Sequence, residues 1–173
     1  MSILWALVPI SLVLILLLWY AARGQGRRVS SPEELAKRTQ PVDLESFRNL
    51  LDPDETDFLR SHLPARQFRG LQRERLRAAA EYVTRVSHNA AVLSRFGEAA
   101  RLSDDPEVAA AGRELAEQAI RLRALSFLVL ANLRLGILVP STRLPASRLV
   151  EGYQRVDFLA GRITRSHHPA HAA

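Results

Sequence analysis

The chain of 173 residues contains no cysteine. That excludes disulfides, zinc–thiolate centres and cysteine nucleophiles together, while leaving the redox compartment open. Lysine is almost missing as well: Lys37 stands alone, and the other 23 of the 24 basic residues are arginine. No phosphate-binding loop with its lysine is present. Aromatic residues make up 6% of the chain, too few for a surface on which bases stack. Runs of β-branched residues with period two are absent, and with them the signature of a half-buried strand. The "GQG" at 24–26 lacks a third glycine and follows an apolar run instead of a strand, so it is no dinucleotide loop.

What is present begins with "ILWALVPISLVLILLLWYAA", Ile3 to Ala22, which is 20 residues without a charge. At about 1.5 Å per residue such a helix spans roughly 30 Å, the thickness of bilayer hydrocarbon. Trp5 near one end, and Trp19 with Tyr20 at the other, fit aromatic belts. A cleaved signal peptide would carry basic residues ahead of the run, where none stand, and a small-x-small site after it, whereas "WYAARG" places Trp19 or Tyr20 where the first small residue should be. We therefore expect residues 1–22 to be a retained anchor that meets the bilayer through residues 3–22. Arg23, Arg27 and Arg28 follow directly, in a basic linker over 23–31, with Lys37 and Arg38 beyond. The positive-inside rule then puts the amino terminus outside and the body on the cytoplasmic side of the inner membrane.

The body reads as helices. "SSPEE", "DPDE" and "DDPE" each offer an N-cap (Ser31, Asp52, Asp105), a proline at the first helical position and an acid in the first turn. Over 68–102, Leu76, Ala79, Val83, Val86, Ala90, Leu93, Gly97 and Ala100 recur at alternating steps of three and four. Val108, Gly112, Leu115, Ala119, Leu122, Ser126, Val129 and Leu133 do the same over 106–138. These are heptad seams rich in small residues, and the short "LSDDP" between them predicts a long antiparallel helical hairpin. After the break "VPSTRLPAS", a final helix over 147–164 brings Leu149, Tyr153, Val156, Ala160 and Ile163 to one face. The fold expected is all-α: one amino-terminal transmembrane helix, then a three- or four-helix bundle as a single domain over 32–165. The acidic segment 43–63 should bring Phe47, Leu50, Leu51, Phe58, Leu59 and Leu63 to that bundle, and 166–173 should be a disordered tail.

"ALSFLVLANLRLGILVP", Ala124 to Pro140, is apolar enough to raise a second span. Its apolar residues contribute roughly −3 to −6 kcal/mol to insertion, and Arg134 returns about +2.5 to +3.5. A second span would also carry the basic residues after 140 outside, against the charge rule. One span is expected. The run then reads as a hairpin end enclosed by other helices. With a turn near residue 104, residue 130 should lie beside residue 78 and residue 136 beside residue 72. That sets the run level with "FRGLQRERLR", where Arg66, Arg69, Arg73 and Arg77 share a face. Either the acidic segment and the last helix wrap this end and pair the arginines, or an apolar tip with a basic collar rests on the anionic inner leaflet or grips a partner helix.

Chemistry-bearing motifs are weak. "DPDETD" starts like a calcium loop but lacks the glycine and the terminal glutamate, so Asp52, Asp54 and Glu55 serve better as a helix start. His62 sits at a helix end where an imidazole can bond terminal carbonyls; His88 is alone in mid-helix. His167, His168 and His171 on a loose tail make a poor metal site. No serine stands recognisably against a base and an acid. The sequence thus gives no catalytic, cofactor or metal site. It points to an anchored interaction or scaffold protein with a protein partner or a second copy on its helix surfaces, in the general build of small single-span bacterial membrane proteins. Anionic-lipid or nucleic-acid binding through the arginine stripe is the alternative, with nucleic acid disfavoured by the sparse aromatics and numerous acids. An enzyme of unknown class is a lesser one.

Overall fold

The computed structural model describes residue 29 and residues 31–138 and 146–167. The expected anchor with Trp5, Trp19 and Tyr20, the flanking Arg23, Arg27 and Arg28, and residues 168–173 lie outside these. Among the described residues the secondary structure is all helical: α1 Pro32–Arg38, α2 Leu44–Leu50, α3 Pro53–His62, α4 Ala65–Ala100, α5 Pro106–Leu138 and α6 Ala146–His167. None of them is long and apolar enough to cross a membrane.

The starts follow from local chemistry. Ser31 Oγ accepts the Glu34 amide at 3.2 Å, Asp52 Oδ1 accepts that of Asp54 at 2.9 Å, and Asp105 Oδ1 accepts that of Glu107 at 2.8 Å. Each oxygen satisfies an amide that the first helical turn leaves orphaned. A fourth cap, Asp43, opens α2, and the break at Leu51 followed by the Asp52 cap divides the acidic segment into two helices. Hydrogen bonds from Ser46, then Glu45, to Asp43 hold its carboxyl below the ordinary carboxylate range.

The scaffold is the antiparallel pair α4–α5. All sixteen seam residues expected from the spacing are buried. The two helices touch backbone to backbone near the turn: a Cβ on Gly97 would sit 2.7 Å from the Ala116 nitrogen, and one on Gly112 would sit 2.5 Å from the Arg101 nitrogen. Gly112 thus meets the end of α4, and the first turns of α5 run past it. This shifts the register expected from a turn centred on residue 104. Leu130 shares a groove with Ala80 and Thr84 instead of lying beside residue 78. Counting from that contact at equal rise, Leu138 falls level with Glu74, so Arg66, Arg69 and Arg73 project beyond the described end of α5.

Helix α6 packs antiparallel to α5, with Gly152 against Leu122 and Arg155 paired to Glu114 at 3.7 Å. It buries Leu149, Val150, Val156, Leu159, Ala160 and Ile163, and runs through Ser166 and His167, where the sequence suggested a tail. Val29 is fully buried, and α1 lies across a groove where Leu35 shares a lining with Leu93 of α4 and Ala160 of α6. Asn89, itself buried, fastens this strap. Its side chain accepts from the Gln40 amide (2.8 Å), donates to the Gln40 carbonyl (2.7 Å) and donates to the Tyr153 hydroxyl oxygen (2.9 Å).

Candidate interaction surface

The expected arginine stripe forms on α4. Arg66, Arg69, Arg73 and Arg77 are all exposed, and none makes an ion pair or hydrogen bond among the described residues. Of the two readings offered by the sequence, pairing of these arginines by the acidic segment is therefore not what the described residues show. The arginine that α2 and α3 do engage is Arg75, between Arg73 and Arg77. Its side chain is only 8% exposed and donates to the Asn49 carbonyl (3.0 Å), the Leu50 carbonyl (3.2 Å) and Glu55 Oε2 (2.9 Å). Sequence reasoning missed it. The available signal was its spacing of seven from both Phe68 and Tyr82, the aromatic residues on the side of α4 that receives α2 and α3.

Phe47 is buried, with its ring 6.0 Å from that of Tyr82. Helix α3 contributes no buried residue, and Phe58, expected to face the bundle, is 59% exposed. It stacks on His62 at 4.1 Å, while Arg60 lies over Phe68 at 5.4 Å. The ring of His62 also bonds the Phe58 carbonyl at 2.8 Å, as an imidazole at a helix end can. His88 bonds the Arg38 carbonyl at 3.0 Å.

The described part of the apolar run, residues 124–134, is not enclosed by the described chain, which corrects the second expectation. Leu122, Ser126, Val129 and Leu133 face inward, and Ser126 is satisfied by the Leu122 carbonyl at 2.8 Å. On the other side Ile120, Phe127 and Leu128 are 41%, 46% and 60% exposed, and Ala124 and Ala131 are exposed with them. The cause is where the short helices go. The main contacts of α1, α2 and α3 are with α4, while α6 covers only one flank of α5. The outer face of α5 therefore has no partner within the described chain.

The two features border one another. On α5, Ile120, Arg123, Phe127, Leu130 and Arg134 follow at steps of three and four. On α4, Arg66, Arg69, Arg73 and Arg77 continue at such steps to Ala80 and Thr84. The groove shared by Ala80, Thr84, Leu130 and Arg134 joins the two stripes; Glu81 and Arg85 also line it. Farther along the same edge, burial lowers the Arg123 guanidinium below its ordinary range, and the charge of Arg95 lowers it further. The hairpin thus offers an apolar strip on α5 that passes, at Arg134 and this groove, into the exposed arginines of the first turns of α4. This arrangement suits an apolar surface carrying negative charge.

Among the described residues no group of histidine, aspartate and glutamate is placed to hold a metal ion. Comparison of the chain with protein-family models, with curated proteins and with solved structures finds no match.

Proposed function

We propose that this chain is a single-pass membrane protein whose helical body lies on the cytoplasmic face and acts by binding through its helix surfaces, as a scaffold, without catalysis. The observation that supports this reading best is the outer face of α5, where Ile120, Phe127 and Leu128 stand exposed beside Ala124 and Ala131. A contiguous apolar strip bordered by the exposed charges of Arg77 and Arg134 is the composition of a contact surface. The uncharged run 3–22 and the arginines after it supply the anchor and its orientation.

The test is fractionation and crosslinking of the full chain in native membranes. The reading expects resistance to alkaline extraction, protease access to the body only after the cytoplasmic face is opened, and either self-association or a specific crosslinked partner. Extraction at alkaline pH would remove the anchor; neither self-association nor a partner, in membranes or in mild detergent, would remove the scaffold.

A further inference from the structure

We propose that the α5 outer face and the α4 arginine stripe together form a docking surface for anionic phospholipid, on which the bundle lies lengthwise. The inference rests on the membrane-anchored reading above and gives its surface a ligand. Three observations carry it. The first is the chemistry of the strip: Phe127 and Leu128 project apolar volume where a helix at an interface buries it, just below the headgroups. The second is the charge beside it. Arg66, Arg69, Arg73, Arg77 and Arg134 are exposed and carry no ion pair or hydrogen bond among the described residues, so each is available there to a phosphate.

The third is the layout. The exposed arginines from Arg66 to Arg77 cover about 17 Å along α4 at helical rise, and the apolar strip continues that line on α5 from Arg134 back to Ile120. A bundle standing on its end would present only the first of these arginines, whereas one lying on its side presents them and the strip together. The alternative occupants fit less well. A nucleic acid offers phosphates but nothing to take up Phe127 and Leu128. A second copy would have to answer these five arginines with acids, and the strip and its groove offer few: Glu81 lines the groove, while Glu114 and Glu117 face Arg155 and Arg121.

The chain has no cysteine, so Leu128→Cys in the full-length protein gives one labelling site. A polarity-sensitive fluorophore there is read in vesicles of phosphatidylcholine alone and of phosphatidylcholine with phosphatidylglycerol, against an aqueous quencher. The expected result is shielding only with phosphatidylglycerol, reversed by high salt. Replacing Arg66, Arg69, Arg73 and Arg77 with Ser should lower the docked-to-free ratio about fivefold per arginine, with helix content unchanged. Phe158→Cys, on α6, should stay accessible in both membranes. Equal access at position 128 in both lipids overturns the proposal. Equal shielding in both also overturns it, since a protein contact or neutral lipid would then be the cover. Alkaline extraction of the same vesicles reads the anchor separately: a chain that washes off yet shows shielding specific to phosphatidylglycerol loses the anchored reading and keeps the lipid surface.

Discussion

Two glycines in one helix should respond to the same substitution with opposite signs. Gly70 and Gly97 both lie inside α4. Alanine at either position gains about 1 kcal/mol of helix propensity, because glycine gives up more backbone freedom on folding. At Gly70 nothing lies within 4 Å of the new methyl, so Gly70→Ala should stabilise the fold by about that amount. At Gly97 the methyl would meet the Ala116 nitrogen at 2.7 Å and the Gly112 carbonyl oxygen at 2.8 Å. Both are backbone atoms of α5 and cannot swing aside. The helices must part locally, and overpacking of this kind costs about 1–3 kcal/mol, with rigid neighbours favouring the upper end. Set against the propensity gain, Gly97→Ala should destabilise by about 2 kcal/mol. Urea unfolding of the two variants and the parent, followed by circular dichroism, reads both signs in one series. If Gly97→Ala proves as stable as the parent, or shifts in the same direction as Gly70→Ala, the close approach of α4 and α5 at the turn is wrong.

The other predictions concern the elements laid on this hairpin. Asn89→Ala should cost about 3 kcal/mol, since both backbone groups of Gln40 and the Tyr153 hydroxyl lose their partner together; amide exchange should show α1 loosening first. Arg75→Ala should abolish amide protection in α2 and α3 while leaving α4 and α5 protected. Glu55→Gln, at a half-exposed partner that still accepts a hydrogen bond, should cost less than about 1 kcal/mol. Burial pushes the Tyr153 phenol above its ordinary range, and the charge of Asp157 adds to the rise despite the opposing bond from Asn89. The folded state therefore favours the neutral phenol. Its contribution is complete below the unfolded-state pKa and is lost as pH rises from there through the folded one, so alkaline unfolding curves should lose that component in Tyr153→Phe.

Much of the bundle was legible because it is written in short-range patterns. Ser31, Asp52 and Asp105 announce helix starts through groups two or three residues away, and seam positions such as Val83 or Leu115 follow from a period that one helix imposes on itself. What was not legible depends on partners distant in the sequence. The register turned on Gly112, and not the middle of the loop, meeting the end of α4. Arg75 differs from Arg73 in sequence only by its spacing of seven from Phe68 and Tyr82, and its partners, the carbonyls left free at the end of α2, are distant in the chain. The apolar run of α5 reads as enclosed because it is apolar on every side, but enclosure needs neighbours, and the short helices went to α4. Phe58 has the hydrophobicity of a core residue, yet it lies on a helix that buries nothing. The arginine stripe was visible as a stripe, whereas its freedom from acidic partners followed only from where Glu55 points.

The central claim is that the outer face of α5 is a working surface, free within the chain and covered in the membrane. Hydroxyl-radical footprinting of the full chain in its native membranes tests it directly, because each residue has a match elsewhere in the molecule. Phe127 compares with Phe58 and Phe158, and Leu128 with Leu102, all of them exposed on the isolated fold. Phe127 and Leu128 should be protected, while Phe158 and Leu102 should be labelled freely. Labelling of Phe127 and Leu128 as heavy as that of their matches would contradict it.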